Sequence, residues 1–202
     1  FWKNLLAKKN NNLWIGFCQK RRFWLQSKNS SNNLLSKVPS NWKNYNAVIC
    51  KKINLGKPKL SKLFKRGWKN IIQKPSILYL DRNYNIELHF DLFHGFRNLQ
   101  KAAELVKKED RNEFIEYIKK NRSFNPHIMC VAKPKILKLW FEDLFPWLKR
   151  CEAIFGFKDL KGYDTTRLYA YLAERYHSFW FQKYSNYIEW PYKFIDTEKI
   201  KN

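Results

Sequence analysis

Acidic side chains are missing from the first 80 positions of this 202-residue chain, the earliest being Asp81. Those 80 positions carry 18 Lys and Arg, whereas the remaining 122 hold 22 basic and 17 acidic residues. Glycine is scarce at six. The chain has no G-x-x-x-x-G-K-[ST], G-x-G-x-x-G, G-x-S-x-G or H-E-x-x-H, which excludes a Gly-rich phosphate cradle, a nucleophile elbow and a zincin helix. Four cysteines, Cys18, Cys50, Cys130 and Cys151, show no C-x-x-C spacing and match no zinc module or disulfide scaffold; reduced thiols are the expectation. Purely apolar runs, such as 14 to 18 and 77 to 80, are only a few residues long. Roughly 18 would be needed to span a bilayer. The only methionine is Met129, and the opening Phe1-Trp2-Lys3 leads into no apolar h-region with a cleavage site. The chain is therefore expected to be an N-terminally incomplete piece of a longer protein.

What is abundant is aromatic surface to bury. Phe, Trp and Tyr make up 18% of the residues, with nine Trp, and 45% of the chain is hydrophobic. A chain unable to form a core is poor in these residue types. The expectation is a single domain over residues 1–202. The net charge of +23 draws polyanions: nucleic acid, anionic lipid headgroups or the diphosphate of a nucleotide sugar. A codon bias toward Lys and Asn is the competing source of that charge.

Residues 13–18 read as a short buried strand, stopping at Gln19-Lys20-Arg21-Arg22. Residues 27–46 read as an Asn/Ser-rich loop and 47–50 as a second strand. Between 59 and 74, Leu60, Leu63, Phe64, Trp68, Ile71 and Ile72 recur at helical spacing, with Lys59, Lys62, Lys65, Arg66, Lys69 and Lys74 on the other face. Such a helix either packs its stripe on the core or lies on an anionic membrane. Residues 77–80 and 86–90 would form a hairpin around 81–85. Helices follow over about 97–108 and 110–120, then a strand at 128–132. Pro134 opens a helix to about Cys151 with a kink at Pro146, and Asp164 caps a last helix over 165–184 with Leu168, Leu172, Tyr176, Phe179 and Trp180 inward. Strands alternating with helices predict an α/β fold: a mixed sheet of short strands with a helical C-terminal half.

Four clusters could carry chemistry. Arg21 and Arg22, adjacent guanidiniums at a strand end, suit phosphate oxygens, or are a solvated basic turn. His89 and Asp91 would share a strand face, with His94 just beyond, and could ligate a divalent cation or form a base with its orienting partner; a backbone-bonded core histidine is the other account. Asn125 and His127 stand at the junction into the strand at 128–132. On the last helix Glu174 points away from the apolar stripe, and Arg175 beside it reads as an ordinary surface pair.

The strings Trp14-Ile15-Gly16-Phe17-Cys18-Gln19-Lys20-Arg21-Arg22-Phe23, Asn125-Pro126-His127-Ile128-Met129 and Arg167-Leu168-Tyr169-Ala170-Tyr171-Leu172-Ala173-Glu174-Arg175 stand in one order. Together they resemble the glycosyltransferase-like family of bacterial capsular and exopolysaccharide loci, whose members carry IG-x-CHYRR-[YF], NMF and R-x-[FY]-[GA]-[FY]-L-[SA]-ER. The chain departs from that pattern at Gln19-Lys20 for His-Tyr, at Ile128 for Asn and at Cys130 for Phe. The resemblance covers nearly the whole chain, without a further N-terminal strand and loop expected upstream of Phe1.

The resemblance implies sugar transfer from a nucleotide sugar to a glycan or lipid-linked acceptor, on a fold similar to a partial GT-A type, at the cytoplasmic face of a membrane. Arg21 and Arg22 would neutralise the leaving diphosphate, with His89, Asn125, His127 and Arg175 also on the donor side. Asp91 or Glu174 would serve as the base. No D-x-D occurs, so the sequence indicates no metal site and leaves a divalent cation open. Two other readings compete: a basic nucleic-acid binder stacking bases on Trp42, Tyr45 and Trp68, ranked lower because no nucleic-acid module is traceable, and a non-catalytic scaffold of glycan assembly.

Overall fold

The computed structural model describes residues 3–4, 6–10, 12–56, 68, 71–72, 75, 84–158, 160–161 and 163–196. The chain falls into two compact units: residues 1–52, 125–142 and 180–202 form the first, and 53–124 and 143–179 the second.

The first unit is built on a four-stranded mixed sheet. Its strands are β1 (Ile15–Phe17), β3 (Ala47–Cys50), β6 (Cys130–Ala132) and β7 (Tyr187–Trp190), in the order β1-β6-β3-β7. β6 lies antiparallel to both β1 and β3, while β7 runs parallel to β3. All four β3 residues are fully buried, which is why Ala-Val-Ile-Cys carries no polar position: an interior strand covered on both faces reads as a continuous apolar run. β1 is an edge and only half-buried, a correction to the fully buried strand read from its aromatics. Gly16 fits closely there: a Cβ would stand 3.3 Å from the Val131 side chain on β6, which would have to give by a few tenths of an ångström. A second ribbon pairs β2 (Arg22–Trp24) with β8 (Tyr192–Phe194), setting Arg22 opposite Phe194 and Trp24 opposite Tyr192. Trp24, Trp42, Val48, Cys50, Met129, Val131 and Trp190 form the core, with the Trp42 and Trp190 rings edge to face at 5.3 Å. Trp190 Nε1 donates to the Leu25 carbonyl at 2.7 Å, so its one polar atom is satisfied.

The second unit is mainly helical, with the two-stranded pair β4 (Ile53–Asn54) and β5 (Ser123–Phe124). Its helices are α1 (Ile86–His94), α2 (Asn98–Glu104), α3 (Lys108–Lys120) and α5 (Tyr163–Thr166). It also takes residues 143–155 of α4 (Pro134–Phe155) and 168–179 of α6 (Leu168–Tyr184), whose remaining residues belong to the first unit. α1 starts where the Asn85 side chain accepts from Leu88 N and ends at Gly95, φ 104°. A Cβ on Gly95 would also strike the Asn98 amide. α3 places Glu109 and Asp110 in its first turn and Lys119 and Lys120 in its last, opposing its dipole. Phe114 packs on Phe179 at 5.1 Å and Tyr176 at 5.4 Å, and Trp147 Nε1 donates to the Ala102 carbonyl.

Several expectations change. Residues 86–90 are helical, not a hairpin strand: Ile86 and Phe90 are a helical repeat as well as an alternating one, and the Asn85 cap with Glu87 in the first turn decides between them. Asp164 sits inside the four-residue helix α5 rather than capping a longer one. α4 starts at Pro134 as expected and runs on through Pro146 to Phe155. β7 and β8 follow the last helix, where no strand was expected; Pro191 between them parts two runs too short to show a period. The hairpin's first strand and most of the basic helix at 59–74 lie outside the described residues. Trp68, Ile71 and Ile72 are helical, with Trp68 50% and Ile72 68% exposed.

Candidate functional site

In the first unit the candidate residues gather where β2 meets β8. β1 ends at Phe17 and β2 begins at Arg22, so the arginine pair opens the second strand rather than closing the first. Successive strand residues point to opposite faces. Arg21 escapes that rule at φ 66°, and both guanidiniums come to lie over the Phe194 ring, at 5.5 and 5.6 Å. Left-handed backbone on a non-glycine residue costs of order 1 kcal/mol or more and persists where surrounding structure imposes it. His127, also left-handed at φ 67°, is held by Arg22 and Tyr192.

Arg22 Nε donates to His127 Nε2 at 3.0 Å, and the Tyr192 hydroxyl lies 3.0 Å from the same nitrogen. Accepting from Arg22 requires a lone pair on Nε2, which puts the single imidazole proton on Nδ1. Among the described residues the two terminal nitrogens of Arg22 take no hydrogen bond. The result is a guanidinium fixed at its inner nitrogen whose outer fork stays available. Arg21 instead forms a half-exposed ion pair with Asp196 at 3.4 Å.

Asn125 is fully buried and braces the sheet. Its amide donates to the Cys50 carbonyl at 2.7 Å and to Glu189 Oε1 at 3.1 Å. Glu189 also accepts from Lys52 N at 3.2 Å.

In the second unit the arrangement inverts. Arg175 is 2% exposed, a correction to the surface pair expected from its neighbour Glu174. It ion-pairs with Glu174, approaches His89 Nδ1 at 3.4 Å and stacks its guanidinium over Phe124 at 3.9 Å. Burial pulls its pKa down and the Glu174 charge pulls it back up. Its Nε takes no hydrogen bond, so the Phe124 face compensates that nitrogen in part. Ser178, one turn after Glu174 on α6, is buried and bonded to the Tyr117 hydroxyl at 2.9 Å.

His89 and Asp91 do not share a face, because two helical residues are turned by about 200°. Asp91 is buried and its Oδ1 accepts from Arg97 N at 2.9 Å, fixing the left-handed turn between α1 and α2. His94 stacks on Tyr171 at 3.8 Å. Burial pushes the Tyr84 hydroxyl up to about 12 and the His177 imidazole down to about 3. Among the described residues no group of three or more His, Cys, Asp and Glu gathers to hold a metal ion. Tyr192, Phe194 and Asp196 are the site residues that sequence reasoning missed. The aromatics at 192 and 194 were the available signal.

The model of a domain of unknown function, DUF4422, matches residues 1–186. The chain belongs to the DUF4422 family. No curated protein matches the chain. Among solved structures, the apo form of the WbbM bifunctional glycosyltransferase is similar, with a TM-score of 0.65 and 14% identity over 97% of this chain and 35% of that one. This DUF4422 chain thus spans about a third of that enzyme's length, and the likeness is one of fold. The fold is mixed α/β, consistent with a GT-A-like domain.

Proposed function

We propose that this chain transfers a sugar from a nucleotide-sugar donor to a surface glycan or lipid-linked acceptor. The observation that carries the reading is the anchored guanidinium of Arg22, with its Nε spent on His127 and its fork unspent, in a chain with the fold of a glycosyltransferase. A diphosphate leaving group gathers negative charge as the glycosidic bond breaks, and a planar fork offers it two parallel charge-assisted hydrogen bonds. Fixing that fork before the donor arrives removes part of the cost of ordering a long side chain. Arg21, in the adjoining turn, is already ion-paired with Asp196, so Arg22 carries the proposal. Both carboxylates expected to act as the base are engaged within the second unit, Asp91 by the Arg97 amide and Glu174 by Arg175, so the proposal rests on the donor side alone.

The test is thermal unfolding with a panel of nucleotide sugars. A matching donor should raise Tm by several degrees at saturating concentration, and Arg22→Ala should abolish the rise while keeping the apo Tm within a few degrees. A flat response from the intact protein across the panel would refute the donor site.

Attachment to an anionic membrane surface is a separate part of the proposal, supported by the exposed Trp68 and Ile72 beside basic sequence. Co-sedimentation with vesicles should then rise with the anionic lipid fraction and fall with salt.

A further inference from the structure

The first unit contains an open groove of about 560 Å³, lined by Gln26, Ser27, Lys28, Asn29, Val38, Pro39, Ser40, Asn41 and Trp190. Its volume lies within the usual range for ligand sites. One wall is the turn after β2 and the other the short 3-10 helix Ser40–Trp42, which follows Pro39.

Both walls are held from within. Gln26 Oε1 accepts from Ser36 N at 2.8 Å and Lys37 N at 3.2 Å, while its Nε2 donates to the Lys37 carbonyl. The backbone pairs Gln26 with Asn33 and Leu35 with Trp24, closing the segment as a hairpin. Trp42 and Trp190 fix the other wall from the core side.

The chemistry of the lining is specific. No carboxylate and no guanidinium is present. The side chains of Ser27, Asn29, Ser40 and Asn41 are exposed and take no hydrogen bond among the described residues. They supply two hydroxyls and two carboxamides, neutral groups that each donate and accept. Vicinal sugar hydroxyls also donate and accept, and match such groups without desolvating an ion. The one cation, Lys28, has its ammonium 5.8 Å over the Trp190 ring.

We propose that this groove binds a neutral oligosaccharide. The assignment goes beyond the donor site at Arg22 and does not depend on it: a glycan groove would serve a transferase by holding its acceptor and a scaffold by holding its polymer. An anion would find one ammonium and no fork here. An apolar peptide would strand the two carboxamides.

Amide NMR of the isotope-labelled protein, titrated with neutral trisaccharides of glucose, galactose and mannose and separately with inorganic pyrophosphate, tests the assignment. At least one trisaccharide should give saturable shifts confined to residues 26–29 and 38–41 and the Trp190 indole. An Asn29→Ala/Asn41→Ala double variant should weaken that binding at least about five-fold, and it alters only exposed side chains, so its spectrum should otherwise overlay. No saturable shift across the panel, unchanged affinity in the double variant, or movement of these same amides by pyrophosphate instead would each overturn the assignment. Pyrophosphate shifts at Arg22 report on the donor site alone, so the failure of one site is read separately from the other.

Discussion

Two arginines, one in each unit, carry the same functional group into opposite situations. Arg22 stands half-buried on β2, anchored through one nitrogen to a neutral imidazole. Arg175 stands 2% exposed on α6, its charge answered by Glu174 and its face covered by Phe124. A histidine acceptor positions a guanidinium without cancelling its charge, whereas a carboxylate partner in a closed site cancels it. The first arrangement leaves a cation for an arriving anion; the second holds helix α6 to β5.

The sharpest way to break this comparison is to truncate both arginines. Arg175→Ala should destabilise the protein by about 3–5 kcal/mol, because Glu174 loses its partner in a mostly closed site. Arg22→Ala should cost no more than about 1 kcal/mol. Chemical denaturation of both variants measures the difference, and equal losses would erase the distinction. Next in size is anion binding: loss of a charge-assisted fork worth about 1.5–3 kcal/mol should weaken pyrophosphate affinity ten-fold or more in Arg22→Ala. Arg22→Lys should recover only part of that affinity, since an ammonium cannot reproduce the fork.

A pH experiment isolates the interior of the second unit. Burial holds the His177 pKa down at about 3, whereas the unfolded residue titrates near 6.5. Between those values the unfolded chain binds the extra proton. The stability from His177 is therefore complete above pH 6.5 and falls as pH drops toward 3, at about 1.4 kcal/mol per unit. His177→Gln should flatten that part of the stability profile. The smallest effect is at Tyr192: Tyr192→Phe should weaken pyrophosphate binding only a few-fold, because Arg22 still holds His127.

Much of the frame was legible along the chain. Ala47 to Cys50 announced an interior strand by carrying no polar residue, Pro134 marked the start of α4, and Leu168, Leu172, Tyr176, Phe179 and Trp180 are all buried as their spacing predicts. Arg22 and His127 were both singled out, and these two do meet. What could not be read was who meets whom across long separations. His127 finds Tyr192 65 positions on, and β7 joins β3 in parallel about 140 positions away. No local period encodes either pairing. Arg175 was misjudged for a related reason: charge next to charge suggests solvent, and only the surrounding Phe90 and Phe124 rings show that this pair is closed in. His89 was misplaced because the alternation of Ile86, Leu88 and Phe90 outweighed a single capping asparagine.

The central claim is that Arg22 presents an open, preset fork to a diphosphate. Calorimetric titration of UDP and of uridine into the intact protein and into Arg22→Ala tests it most directly. Saturable UDP binding, at least ten-fold tighter than uridine and lost in the variant, is the predicted result. UDP binding of equal strength with and without the Arg22 guanidinium would contradict it.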